Sequence, residues 1–202
     1  MADKYDNFEE LAQNERSGID FRFLARRAQP AFAIVAPHGG GIEPGTSEIA
    51  DAIAGVEYSF YSFEGLKSKG NSDLHITSTH FNEPVCLTLI AESDVVVTIH
   101  GEHSDEDGDG VFVGGRDEGL GRRIGRALKA AGFVVGKHTD PRLQGLEVNN
   151  ICNLGDSGKG VQLEISHAVR EQMFRSLTRE GRKHPTAKFR SFVAAIRGVL
   201  AK

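Results

Sequence analysis

Apolar and polar positions along the chain form short runs of two periods. The segments 31–37 (AFAIVAP), 57–63 (EYSFYSF), 94–100 (DVVVTIH), 111–115 (VFVGG), 133–137 (FVVGK) and 161–166 (VQLEIS) are short and rich in β-branched or aromatic residues, which predicts strands. Between several of them the period lengthens to that of a helix. TSEIADAIAG is read as starting at a Thr cap, and EPVCLTLIAES carries Pro just inside its start, where a missing N–H costs nothing. Leu120, Ile124 and Leu128 share one face of a helix that Gly132 ends; Phe189, Phe192, Ile196 and Val199 repeat the pattern in a C-terminal helix that must dock on the body. Alternating strands and helices predict an α/β fold of three layers, α/β/α, with a mixed but mainly parallel sheet and helices on both faces. No linker or repeat interrupts it, so residues 1–202 are expected to form a single domain.

Composition narrows the function classes. With 39% hydrophobic and 26% charged residues the chain is globular, and its formal charge of -4 provides no global field for nucleic acid or an anionic membrane. No window holds the ~20 apolar residues of a membrane span, and the acidic, amphipathic start MADKYDNFEELAQNE is unlike a signal peptide. A cytoplasmic protein is expected, and its two cysteines, Cys86 and Cys152, are read as unpaired core filler.

Open sheets of this kind bind ligands outside the carboxyl ends of their strands. Pro37-His38-Gly39-Gly40-Gly41-Ile42-Glu43 follows the first strong strand, His100-Gly101-Glu102-His103 ends another, and Glu164 lies within the last. Two imidazoles and a carboxylate make a donor set that leaves catalytic zinc an open position, so His38, Glu43 and His100 are candidate metal ligands, with His103 as the alternative to His100. The same donors accept manganese or cobalt. Glu164 sits among Val161, Leu163 and Ile165; a carboxylate buried there faces a cation, does proton-transfer chemistry as a general base, or pairs with a neighbouring Arg. Lys159, before that strand, and Arg116, at the end of VFVGG, are candidate contacts for a substrate carboxylate or oxyanion. The polar stretch 70–81 suits a long ordered loop over a site, with Asn71 and His80 as candidate substrate contacts and His75 and His80 as alternative ligands or structural histidines.

Two further patterns fail on detail. Asp105, Asp107, Asp109 and Gly110 reproduce half of a calcium loop, but Arg116 stands where that loop needs a bidentate Glu. GGGIEPG lacks the spacing of a dinucleotide-binding turn. The acids among residues 102–109 would repel a polyanionic substrate wherever they border the cleft.

The ordered motifs PHGGGIEPGTSE, GNSDLHITSTHFNEP, TIHGEH and SGKGVQLEIS, across about positions 37 to 166, resemble those of phage and prophage-type poly-γ-glutamate hydrolases, whose fold is zinc-carboxypeptidase-like. The resemblance implies one Zn2+ ion held by His38, Glu43 and His100, with Glu164 as general base. The first His and Glu are five apart, as in the phage enzymes, against three in classical carboxypeptidases. It also implies a γ-glutamyl polymer as substrate, with release on cell lysis. Another small amide, such as an N-acyl amino acid or cell-wall peptide, and a non-catalytic phage-derived accessory protein are the rival readings. Oligomeric state is left open, a monomer sufficing.

Overall fold

The computed structural model describes residues 3–102 and 108–202. Its elements in chain order are α1 (Phe8–Asn14), β1 (Phe21–Arg26), β2 (Gln29–Gly40), α2 (Thr46–Ala54), β3 (Tyr58–Gly65), α3 (Pro84–Ala91), β4 (Val95–Glu102), β5 (Val111–Gly114), α4 (Glu118–Ala130), β6 (Val135–Gly136), β7 (Val161–Ser166), α5 (His167–Met173) and α6 (Ala187–Leu200). All seven strands join one sheet in the order β1-β3-β2-β4-β7-β5-β6. The neighbours β3-β2, β2-β4, β4-β7 and β5-β6 run parallel, while β1 on β3 and β5 on β7 are antiparallel. The expected mixed, mainly parallel sheet is therefore present.

Side chains alternate across it as the strand period requires. Ile34, Ala36, Val97, Ile99, Leu163 and Ile165 face one way, into a core with residues of α2, α4 and α6. Ala33, Val35, Tyr61, Phe63 and Val96 face the other way, against residues of α1 and α3. On this second face the apolar positions give out toward the carboxyl ends of the central strands. After Val96 the same side of β4 carries Thr98, His100 and Glu102, and β7 carries Gln162, Glu164 and Ser166, all of them buried. That polar floor is where the site lies.

Local chemistry accounts for most element boundaries. Glu83 caps α3 by accepting the Val85 and Cys86 N–H groups, with Pro84 at the first helical position as expected. Asp117 caps α4, and Gly132 follows its end with φ +87°. The Thr cap expected for α2 is corrected: the cap position is Gly45, and the Thr46 hydroxyl, one residue on, donates to the Glu43 carbonyl. The edge strand β1 escaped the hydrophobic pattern because Phe21 is its one fully buried residue. The expected 133–137 strand shrinks to the two residues of β6. Cys86 and Cys152 are both buried and free. No helix among the described residues is long and apolar enough to cross a membrane.

Candidate metal centre

The strands carrying His38, His100 and Glu164 are β2, β4 and β7, three consecutive parallel neighbours in the sheet. His100 and Glu164 are paired in register, so their side chains stand side by side. His38 needs a further device. Strict alternation from Val35 would send it to the face opposite His100. Between Ala36 and Gly39, however, β2 slips by one residue against β3, from Ala36↔Ser62 to Gly39↔Glu64. The extra residue re-aims the chain. Gly40, at φ +64° and crowded by the Gly65 carbonyl, then turns the backbone so that Glu43 folds back over His38.

Two metal-type donors approach His38 as a result. His38 Nε2 donates to the Ile76 carbonyl at 2.8 Å, which leaves Nδ1 facing Glu43 Oε1 at 3.1 Å and His100 Nδ1 at 3.2 Å. Glu43 Oε2 accepts the Gly101 N–H at 2.7 Å. Lone pairs at these separations repel unless a proton or a cation lies among them, so the residues fit a bound metal. Burial, reinforced by the His38 charge, pushes His100 down to about 3, leaving it neutral and able to ligate. Burial opposes ionisation of Glu43 and His38 too, but their mutual attraction outweighs it: Glu43 falls to about 2 and His38 rises.

His75 reaches the same place from the loop. With His38 and Glu43 it offers one donor atom each within 4.8 Å of one another, and its ring lies over that of His38 at 3.9 Å between centroids. Its Nδ1 bonds to Asp3 Oδ1 at 2.6 Å, while Nε2 faces Glu43 Oε1 at 4.0 Å. Its side chain is 35% exposed, against 2% for His38, so it stands at the mouth.

Glu164 accepts a hydrogen bond from Gln162 Nε2 at 2.9 Å. Burial, together with the Glu43 and Glu102 charges, raises its proton affinity well above that of an ordinary carboxyl, as a proton shuttle requires. Beneath lies Arg170, whose guanidinium donates to the carbonyls of Ile165, Pro44 and Glu102 at 3.0, 2.8 and 3.1 Å. Glu102 also approaches His138 Nε2 at 4.0 Å.

A family model described as poly-gamma-glutamate hydrolase matches residues 5–195 of this sequence. The chain belongs to the poly-gamma-glutamate hydrolase family. Its relatives include the SPbeta prophage-derived protein YoqZ of Bacillus subtilis (strain 168), 44% identical over 182 residues, and YmaC of the same organism, 40% identical over 203 residues. These alignments cover 90% and 99% of the chain, and 65% of YoqZ and 85% of YmaC. The chain thus spans just under two thirds of YoqZ. Among solved structures it is similar to a bacteriophage poly-gamma-glutamate hydrolase, with a TM-score of 0.94 and 34% identity over 99% of this chain and 97% of that one. It is similar also to a zinc-free apo form of YndL, with a TM-score of 0.90 and 37% identity over 100% and 98% of the two chains.

In this family member the fold does not bring the expected substrate cations to the metal centre. Lys159 is exposed and lies five residues before Glu164, a strand length of roughly 16 Å toward the amino end of β7. Arg116 is exposed at the same remote end: β5 runs antiparallel to β7, so its carboxyl end points away, and the Asp117 N–H bonds to the Gly160 carbonyl. Asn71 packs between Gly41 and Gly65 and donates to the Lys67 carbonyl at 2.8 Å. His80 is exposed on the loop. His103 and the acidic stretch around it, 103–107, lie outside the described residues. Sequence reasoning missed Asp3 and Arg170. Arg170 left a signal, a lone cation between Val169 and Met173 in a short helix; Asp3, in a terminal segment, left none.

Proposed function

We propose that this hydrolase cleaves γ-glutamyl amide bonds of an anionic polymer, with one zinc ion held by His38, Glu43 and His100 and with Glu164 as general base. The observation that carries the reading is that His38 Nδ1 lies 3.1 Å from Glu43 Oε1 and 3.2 Å from His100 Nδ1, while the metal-type donors mutually within 4.8 Å are those of His38, Glu43 and His75. Family membership and the similarity to a phage poly-gamma-glutamate hydrolase support the polymer as substrate. When bound, the ion polarises the scissile carbonyl and lowers the pKa of the attacking water.

The chain's own groups do the rest. Glu164, beside His100 on the neighbouring strand, takes the proton from the attacking water and returns it to the leaving nitrogen. Gln162 holds one of its oxygens, which keeps the carboxylate aimed across the sheet. Gly101 N–H anchors Glu43, so that carboxylate does not swing toward the substrate. Arg170 offsets the charge of Glu43, Glu102 and Glu164 without leaving the interior.

Metal analysis and incubation with poly-γ-glutamate, with and without chelator, test the reading. One zinc per chain and chelator-sensitive shortening of the polymer are expected. Intact polymer with zinc-loaded protein, while N-acyl amino acids or cell-wall peptides are cleaved, would replace the substrate; cleavage untouched by chelator would remove the metal.

A further inference from the structure

We propose that Asp3 is a positioning residue that fixes the tautomer of His75, so that a bare His75 Nε2 faces the cation position beside His38 and Glu43. The inference rests on the zinc reading above and adds to it a residue from the N-terminal segment. A carboxylate is an acceptor only, so at 2.6 Å from Asp3 Oδ1 the Nδ1 of His75 carries the hydrogen. In the neutral ring Nε2 then keeps its lone pair, and it lies 4.0 Å from Glu43 Oε1. Two acceptors facing one point call for a cation or a donor between them. A carboxylate gripping the far nitrogen of an imidazole is the arrangement that orients metal-facing histidines and raises their basicity.

The second oxygen of Asp3 makes the arrangement directional. Asp3 Oδ2 accepts the Thr77 N–H at 2.6 Å, so both oxygens are committed to donors. The segment bearing Asp3 is itself held: Lys4 pairs with Asp73 at 3.0 Å, the Tyr5 hydroxyl donates to Glu15 at 2.7 Å, and the Phe8 N–H bonds to Asn82. The first and last of these bonds fasten the segment to the stretch that carries His75. Attraction to Thr77 and His75 also holds the Asp3 carboxyl below its ordinary range despite partial burial, as expected of an acceptor between two donors.

An amide at position 3 would invert the ring. In Asp3→Asn the Thr77 N–H demands the amide oxygen, which leaves the amide NH2 facing His75 Nδ1. That nitrogen must then be bare, the hydrogen moves to Nε2, and a donor points at the cation position. Asp3→Ala removes the preference without reversing it. A merely structural clasp predicts the opposite order, because alanine loses both bonds and asparagine keeps their shape.

The test uses the full chain. Nitrogen-15 NMR of the imidazoles in zinc-free protein reads the His75 tautomer, chelator competition reads zinc affinity, and a thermal melt checks folding in each variant. Expected are Nδ1–H in the wild type, Nε2–H in Asp3→Asn, and zinc binding weakened roughly 10- to 100-fold in Asp3→Asn. Asp3→Ala is expected to lose less. An Nε2–H wild type, zinc affinity unchanged in Asp3→Asn, or a loss in Asp3→Ala as large as in Asp3→Asn would each overturn the proposal. A wild type that takes up no zinc would overturn the parent reading with it, whereas zinc uptake indifferent to Asp3 would overturn this inference alone.

Discussion

Replacing Arg170 with methionine would keep most of its volume and remove its charge and all of its donors. The side chain is fully buried, and its guanidinium bonds to three carbonyls from three separate segments: Pro44 beside Glu43, Glu102 two residues past His100, and Ile165 beside Glu164. Gly101 leaves the room, since a Cβ there would lie 2.6 Å from the guanidinium carbon. Each carbonyl stripped of its partner costs about 1–3 kcal/mol, and the nearby carboxylates lose a favourable charge as well. Relaxation and entering water recover part of this, so a loss of about 3–5 kcal/mol is expected. For a chain of this length that lowers Tm by roughly 6–20 °C. Urea unfolding of zinc-free wild type, Arg170→Met and Arg170→Lys measures it. The lysine variant should fall between the other two, because an ammonium keeps the charge without the fork. A methionine variant within about 1 kcal/mol of wild type would refute the reasoning, since an average substitution costs about that much.

Three further outcomes are expected. Glu164→Gln should retain zinc and fold while turnover drops about 10²- to 10⁴-fold, and wild-type rates would exclude Glu164 as the base. Because folding raises its carboxyl above the unfolded value, zinc-free wild type should lose stability relative to Glu164→Gln as pH rises above about 4.5, with their difference constant below it; equal pH profiles would contradict the burial argument. His38→Ala and His100→Ala should each lower zinc content measured on the purified protein, and undiminished zinc in both would dismiss these ligands. Lys159→Ala and Arg116→Ala should leave zinc content and kcat/KM unchanged, as their place at the far end of β7 requires; a raised KM would bring that end of the sheet into substrate binding.

Much of this protein was legible along the chain because burial leaves a periodic mark. Five of the six expected strands correspond closely to β2, β3, β4, β5 and β7, and the helices α2, α3, α4 and α6 follow their apolar stripes. His38 and His100 stood out as candidates for a related reason, since each ends a run that is otherwise apolar, and Glu164 stood out as a carboxylate inside one. Direction left no such mark. VFVGG reads the same in a parallel or an antiparallel strand, and only the antiparallel pairing of β5 with β7 puts Arg116 at the end away from Glu164. Lys159 was misplaced because adjacency to a site strand says nothing about which end faces the site.

What sequence alone determined here is local: which residues are buried, on which period, and which donors sit at loop ends. What tertiary structure decided is convergence. The one-residue slip that brings His38 onto the face of His100 depends on β2 meeting β3, and Arg170 acquires its role where β4, β7 and the loop before α2 meet. Asp3 lies 72 residues from His75, and the bond between them exists because α1 and the loop 70–81 share one side of the sheet. Contacts of that span carry no period, so they become visible only when the chain is folded.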